Sequence, residues 1–153
     1  MRLGVALFVQ RRLDEAEVVL RRAVAFSRKV VGTEHRDTVD ALRILSRVLL
    51  EKGHVDEAES LAREAILTSK RIFGGAHPTP AVCLDALGCA LQKGGKLAEA
   101  EAAFREALAF FERWGIAPDH TARARSLLVA VLREQGKLAE AEAVQREASS
   151  TKK

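Results

Sequence analysis

The stretch "LDEAEVVLRRA" occupies residues 13–23, and near copies follow it: "VDEAESLAREA" at 55–65, "LAEAEAAFREA" at 97–107 and "LAEAEAVQREA" at 138–148. The first apolar residues, Leu13, Val55, Leu97 and Leu138, are spaced by 42, 42 and 41 positions. Self-similarity at such a period marks an array in which one supersecondary unit is stacked on the next. Within each copy the acids come first, in the opening turn of a helix, where the helix dipole favours negative charge by roughly 0.3–1 kcal/mol each.

A second set of matches lies between the copies. "DALRILSRVLLEKG" (40–53), "VCLDALGCALQKGG" (82–95) and "RARSLLVAVLREQG" (123–136) align without gaps. Their apolar residues recur at three and four, as in Leu42, Leu45 and Leu49 or Leu84, Leu87 and Leu91, which is the period of an amphipathic helix. Gly53, Gly95 and Gly136 close these helices, since glycine accepts a left-handed backbone at a helix end. Each unit therefore reads as helix A, tight turn, helix B and a longer loop. Ala16, Ala58, Ala100 and Ala141 are expected to meet the small residue of helix A (Gly4, Ser46 or Gly88), with a wider crossing where Val129 stands. Ala23, Ala65, Ala107 and Ala148 continue that stripe. In the loops, Asp37 or Thr38, and Thr79 before Pro80, are the expected N-caps.

The pattern resembles the tetratricopeptide repeat. In the third unit Leu84, Leu87, Gly88, Leu91, Ala100, Phe104 and Ala107 match that family's signature positions in order. The long period, the "G..HP.T" loop and the "G...EAE" entry to helix B resemble the variant of kinesin light chains and many bacterial regulatory proteins. The resemblance implies an all-α, right-handed solenoid of about four units and eight helices: repeat 1 over 1–31 with a truncated first helix, repeat 2 over 37–73, repeat 3 over 79–114 and repeat 4 over 119–149. Two departures stand out. The asparagine pair often found in helix A of the kinesin-light-chain type is replaced by Arg43-Ile44, Asp85-Ala86 and Ser126-Leu127, so asparagine clamping of a peptide backbone does not carry over. Arg11 stands in the place of the turn glycine. Both ends read as cut from a longer array, without polar caps.

The resemblance places a peptide-binding groove along the A helices. By register its residues are Asp40, Arg43, Arg47, Leu50 and Glu51 in repeat two; Val82, Asp85, Cys89, Gln92 and Lys93 in repeat three; and Arg123, Ser126, Ala130, Arg133 and Glu134 in repeat four. Arg43 and Arg47, one turn apart, have the spacing to hold a carboxylate, although pairing with Asp40, Glu51 or neighbouring acids is the expectation. Val5, Phe8 and Val9 form an apolar patch near the same face. It is read as the mark of a missing upstream neighbour, ahead of a partner-binding patch.

Other chemistries find little support. The chain has 153 residues, 48% apolar and 30% charged, with a net charge of +4. Residues 1–76 carry 14 basic and 11 acidic groups and residues 77–153 carry 11 and 10, a mixture without the basic stripe of a nucleic-acid binder. No apolar run reaches the roughly 18 residues of a membrane span, and the "MRLGVALFVQRRL" start reads as helix rather than a signal peptide. Cys83 and Cys89 point to different faces of one helix, which excludes a disulfide between them and fits a reducing, cytoplasmic setting. His35, His54, His77 and His120 occur singly in turns and loops, about one helix-packing distance apart, too far for a shared metal ion. "KGGK" at 93–96 belongs to the A–B turn and not to a phosphate loop. Cys89 reads as a small filler. No catalytic constellation and no cofactor site emerge. The expected function is protein–protein interaction with a peptide or partner helix, an acidic segment suiting the arginines. Self-association through the apolar terminal helices is the first alternative, and nucleic-acid binding the weaker second. The Ala-, Arg- and Glu-rich wording is that of GC-rich DNA, from which a bacterial source is expected.

Overall fold

A computed structural model describes residues 2–74, 77–115 and 118–150, with residues 148–150 as backbone only. The expected burial of Ala148 falls outside the described side chains. Among the described residues eight helices follow one another: α1 (Arg2–Val9), α2 (Leu13–Val30), α3 (Arg36–Glu51), α4 (Val55–Phe73), α5 (Pro78–Lys93), α6 (Leu97–Trp114), α7 (Pro118–Glu134) and α8 (Leu138–Ser150). No strand occurs among the described residues. Each helix packs on its successor, and α5 also touches both α3 and α7 directly, as the A helices of a right-handed solenoid do.

The turn glycines do what the sequence requires. Gly53, Gly95 and Gly136 sit at φ of 84°, 76° and 77°, the left-handed region closed to most side chains. Arg11 takes the equivalent place at φ 62°. It pairs with Glu51 at 2.9 Å with both side chains exposed, an arrangement worth at most about 1 kcal/mol. Arg11→Gly is therefore expected to raise the thermal midpoint slightly, because a left-handed non-glycine residue costs roughly 1–2 kcal/mol. Differential scanning calorimetry reads this, and a lowered midpoint would show that the Glu51 pair outweighs the strain.

Packing follows the alanine stripe, with one correction. Ala16, Ala58, Ala100 and Ala141 are all fully buried, and so are Ala65 and Ala107, whereas Ala23, expected on the same stripe, is only half-buried. The small residue of helix A, however, chiefly faces the side chain one turn further along helix B. A Cβ added at Gly4 would lie 2.8 Å from Leu20, and one at Gly88 would lie 2.4 Å from the Phe104 ring. In repeat two the partners are small on both sides, Ser46 and Ala62, and the Ser46 hydroxyl donates to the Ala58 carbonyl at 2.7 Å. Repeat four pairs Val129 with Gln145 at these positions. Volumes thus trade between two helices: glycine where the partner is Leu or Phe, a larger residue where it is not.

The charges repeat for a reason beyond the helix dipole. Arg21 reaches Glu57 at 2.6 Å, Arg63 reaches Glu99 at 2.8 Å and Arg105 reaches Glu140 at 2.7 Å, each linking one B helix to the next. Arg28–Glu64 and Lys70–Glu106 run parallel to them. At the turns, Lys52, Lys96 and Lys137 fold back onto Glu17, Glu59 and Glu101 of the preceding B helix. Glu101 accepts from Lys137, Arg105 and Gln135, and the Lys137 ammonium foremost holds its carboxyl down at about 2.

The loop caps also differ from expectation. Neither Asp37, Thr38 nor Thr79 caps its helix. The N-caps are His35 and His77, whose Nδ1 atoms accept from the Asp37 and Thr79 backbone amides at 3.2 Å. A histidine can do this only with its proton on Nε2, and it offers the first turn the acceptor that Asp or Ser usually supplies. The His77 ring also stacks on Phe73, with centroids 4.3 Å apart.

Candidate functional site

The A-helix row α3–α5–α7 gathers an unusual set of charges. From α3, Arg43 pairs with Asp40 at 3.4 Å, and its Nε is buried without a partner. Asp40 also stands 3.9 Å from Arg36. One turn on, Arg47 is half-buried and lies over the Phe8 ring, 5.2 Å from its centroid. The expected pairing with acids therefore holds for Arg43, whereas Arg47 takes an aromatic face, a favourable seat for a guanidinium. Burial above all, then the proximity of Arg123 and Arg43, makes the charged form of Arg47 less favourable than usual.

Across from them, α5 presents Asp85, which register alone would place on the groove surface. It is only 4% exposed. Its Oδ2 meets Arg123 Nε of α7 at 3.4 Å, while its Oδ1 is buried with no hydrogen-bond partner. Desolvation pushes its carboxyl up to about 6, against the pull of Arg123, Arg47 and Arg43. Cys89, one turn further along, is partly exposed, and burial raises its thiol too, so it is no activated nucleophile.

Beside this cluster lies a shallow cavity of about 420 Å³ lined by Leu50, Glu51, Cys89, Gln92, Lys93 and Glu134, residues of three successive A helices. Gln92 donates to Glu134 at 2.7 Å and closes one wall. Lys93 is exposed and Val82 half-buried on the same helix. Not every expected residue converges. Arg133 turns to Gln145 of α8 at 3.0 Å. Ser126 is exposed and spends its hydroxyl on the Ala122 carbonyl of its own helix at 3.0 Å. Ala130 is exposed and offers only a methyl group.

The N-terminal face is the second concave surface of note. Leu3 and Val9 are 61% and 74% exposed, and a cavity of about 460 Å³ is lined by Leu3, Leu7, Arg12, Asp14, Glu15, Val18 and Val19. Leu3 is the repeat equivalent of Leu45, Leu87 and Leu128, each at least 92% buried. Among the described residues, no helix is long and apolar enough to cross a membrane.

Comparison with known proteins places this architecture. Tetratricopeptide-repeat family models match residues 1–67, 55–113 and 86–151. The chain superposes on the crystal structure of BtubC (BKLC) from P. vanneervenii with a TM-score of 0.88 at 20% identity, covering 97% of this chain and 59% of that one. It is equally similar to a kinesin light chain of Podosopora anserina with nearly identical TPR-like repeats, at a TM-score of 0.87 and 20% identity, covering 98% of this chain and 72% of that one. No curated protein matches it in sequence. The stacked helix pairs, the turn glycines, the alanine stripe and the family models together make the chain a member of the tetratricopeptide repeat family.

Proposed function

We propose that the α3–α5–α7 face binds a peptide or helix of a protein partner through an acidic segment, as a scaffold or regulatory element of a larger protein. Tetratricopeptide repeats generally mediate protein–protein interaction, and such scaffolds are generally non-enzymatic. The observation that carries the reading is the convergence of Arg43, Arg47 and Arg123 around one buried acid, beside a cavity built by three repeats. Three guanidiniums against Asp85 and Asp40 leave this spot net positive although the chain's charges are otherwise mixed. Guanidiniums recognise carboxylates by paired hydrogen bonds. Leu50 and Cys89 beside them offer apolar contact for the rest of a peptide.

A displayed library of random peptides tests this with the wild type and Arg47→Gln/Arg123→Gln side by side, the folding of both checked by circular dichroism. The wild type should enrich Asp- and Glu-containing sequences, and the folded variant should lose at least tenfold in affinity for them. Equal retention by both proteins would remove the arginines from the site. If nothing is retained and the mass of the chain rises with concentration, self-association through Leu3, Val5, Val9 and Val18 takes its place.

A further inference from the structure

The arginine cluster contains its own anion. Asp85 is buried, meets Arg123 through one oxygen and leaves the other with no partner. A carboxylate with an unsatisfied buried oxygen is held poorly, and the site around it is open: Arg123 is 44% exposed and Arg47 only half-buried. We propose that Asp85 acts as an internal competitor for this site: it neutralises Arg123 and Arg47 in the free protein, and when an anionic side chain of a partner takes those guanidiniums, Asp85 accepts a proton from solvent. The proposal rests on the groove reading above and adds its regulation: the affinity of this face for an acidic partner rises as pH falls.

The surroundings of Asp85 favour that exchange. From α3 it faces Arg43, already committed to Asp40, and Arg47; from α7 it faces Arg123; on its own helix lies Cys89. The helices packed on the other side of α5 bury neutral groups, with Ala62, Ala65, Ile66 and Ser69 on α4 and Ala103, Phe104 and Ala107 on α6. The one acid buried on α4, Glu59, is held by Lys96 and Arg63. The cations acting on Asp85 are the three arginines, and a ligand carboxylate that claims Arg47 and Arg123 takes two of them. Protonation removes the like-charge repulsion between the two carboxyl groups, and the neutral acid tolerates burial. The proton returns to solvent when the ligand leaves.

The test is the binding of a fluorescein-labelled hexaglutamate peptide to the full chain, followed by anisotropy at pH 5.5, 6.5 and 7.5 and constant ionic strength, with hexaglutamine as control. An acid titrating at about 6 is mostly protonated at pH 5.5 and only a few per cent protonated at pH 7.5, so the apparent affinity should fall about 20-fold across that range. Asp85→Asn should bind with the low-pH affinity throughout, and Arg123→Gln should bind weakly throughout. Arginine-dependent binding that ignores pH would overturn the role of Asp85 and leave the groove reading standing. The same holds for pH dependence that persists in Asp85→Asn, which would locate the proton elsewhere. No binding by the wild type or by Asp85→Asn at any pH overturns both readings. A carbon-13 titration of Asp85 in the wild type needs no variant to fold. Its midpoint must rise when the peptide is present, since linkage is reciprocal, and an unmoved midpoint refutes the proposal.

Discussion

Truncating Phe104 to alanine should be the most damaging single change in the array, lowering stability by about 3–5 kcal/mol. Phe104 is fully buried, and its ring fills the space that a side chain at position 88 would otherwise claim. Gly88→Ala attacks the same contact from the other side. Its new Cβ would lie 2.4 Å from the Phe104 ring, a distance that forces one helix or the ring to move, at about 1–3 kcal/mol. The informative protein is the double variant Gly88→Ser/Phe104→Ala, which imports the Ser46/Ala62 pair of repeat two into repeat three. There the serine occupies part of the vacated space and can donate to the Ala100 carbonyl, as Ser46 does to Ala58. The double variant should therefore unfold at a higher urea concentration than Phe104→Ala alone, with the two substitutions coupled by about 1 kcal/mol or more. If the two effects simply add, positions 88 and 104 do not trade volume, and the account of why glycine recurs in helix A fails.

That trade shows how far the sequence could be read. Period, helix count, turn glycines and the alanine stripe were all legible, because each depends on spacing along one chain segment. The left-handed turn was legible even at Arg11, where register alone marks the place of a glycine. Three features were not. The partner of Gly88 was misassigned by one turn, because which helix B residue meets it depends on the crossing of two helices and not on the period of either. The acids of the quoted stretch were credited to the helix dipole. Their match to the arginines of the preceding repeat, Glu57 with Arg21 and Glu99 with Arg63, needs the distance between stacked B helices. The caps went to His35 and His77 because imidazole Nδ1 can imitate a carboxylate acceptor, a signal present in the sequence as a histidine two residues ahead of the helix-opening Asp37 or Thr79. At the candidate site, register found the arginines of the A-helix row. The burial of Asp85 was hidden, since it arises from what α3 and α7 place around it. The stacking of Arg47 on Phe8 was hidden for the same reason: it joins helices from different repeats.

Stability should rise, not fall, as the solution is acidified from pH 8 toward pH 5. Asp85 has a folded-state carboxyl raised to about 6 from its ordinary 3.8, with burial as the leading cause. A raised acid binds its proton more readily in the folded than in the unfolded chain, so its contribution is fully present below the unfolded value and is lost as pH rises through about 6. At 1.36 kcal/mol per unit the full shift is worth roughly 3 kcal/mol, about half of which is already gone at pH 5, so the loss between pH 5 and pH 8 is on the order of 1–1.5 kcal/mol. The glutamates of the B-helix ladder act in the opposite sense and in a lower window. Glu17, Glu57, Glu59 and Glu101 are depressed by their cationic partners, Glu101 to about 2, so what they contribute is present above about 4.5 and fades below it. The two trends bound a maximum between about pH 4.5 and 6, which urea melts across pH 3–8 would locate. Asp85→Asn separates the terms. It gives up a 3.4 Å pair, but Arg123 is 44% exposed and water replaces the lost partner, whereas the cost of burying a carboxylate disappears. The variant should therefore match or exceed the wild type at pH 8 and lose the upper slope while keeping the lower one. If instead it is clearly less stable at pH 8, the attraction of the three arginines outweighs desolvation, and the upper slope does not come from Asp85.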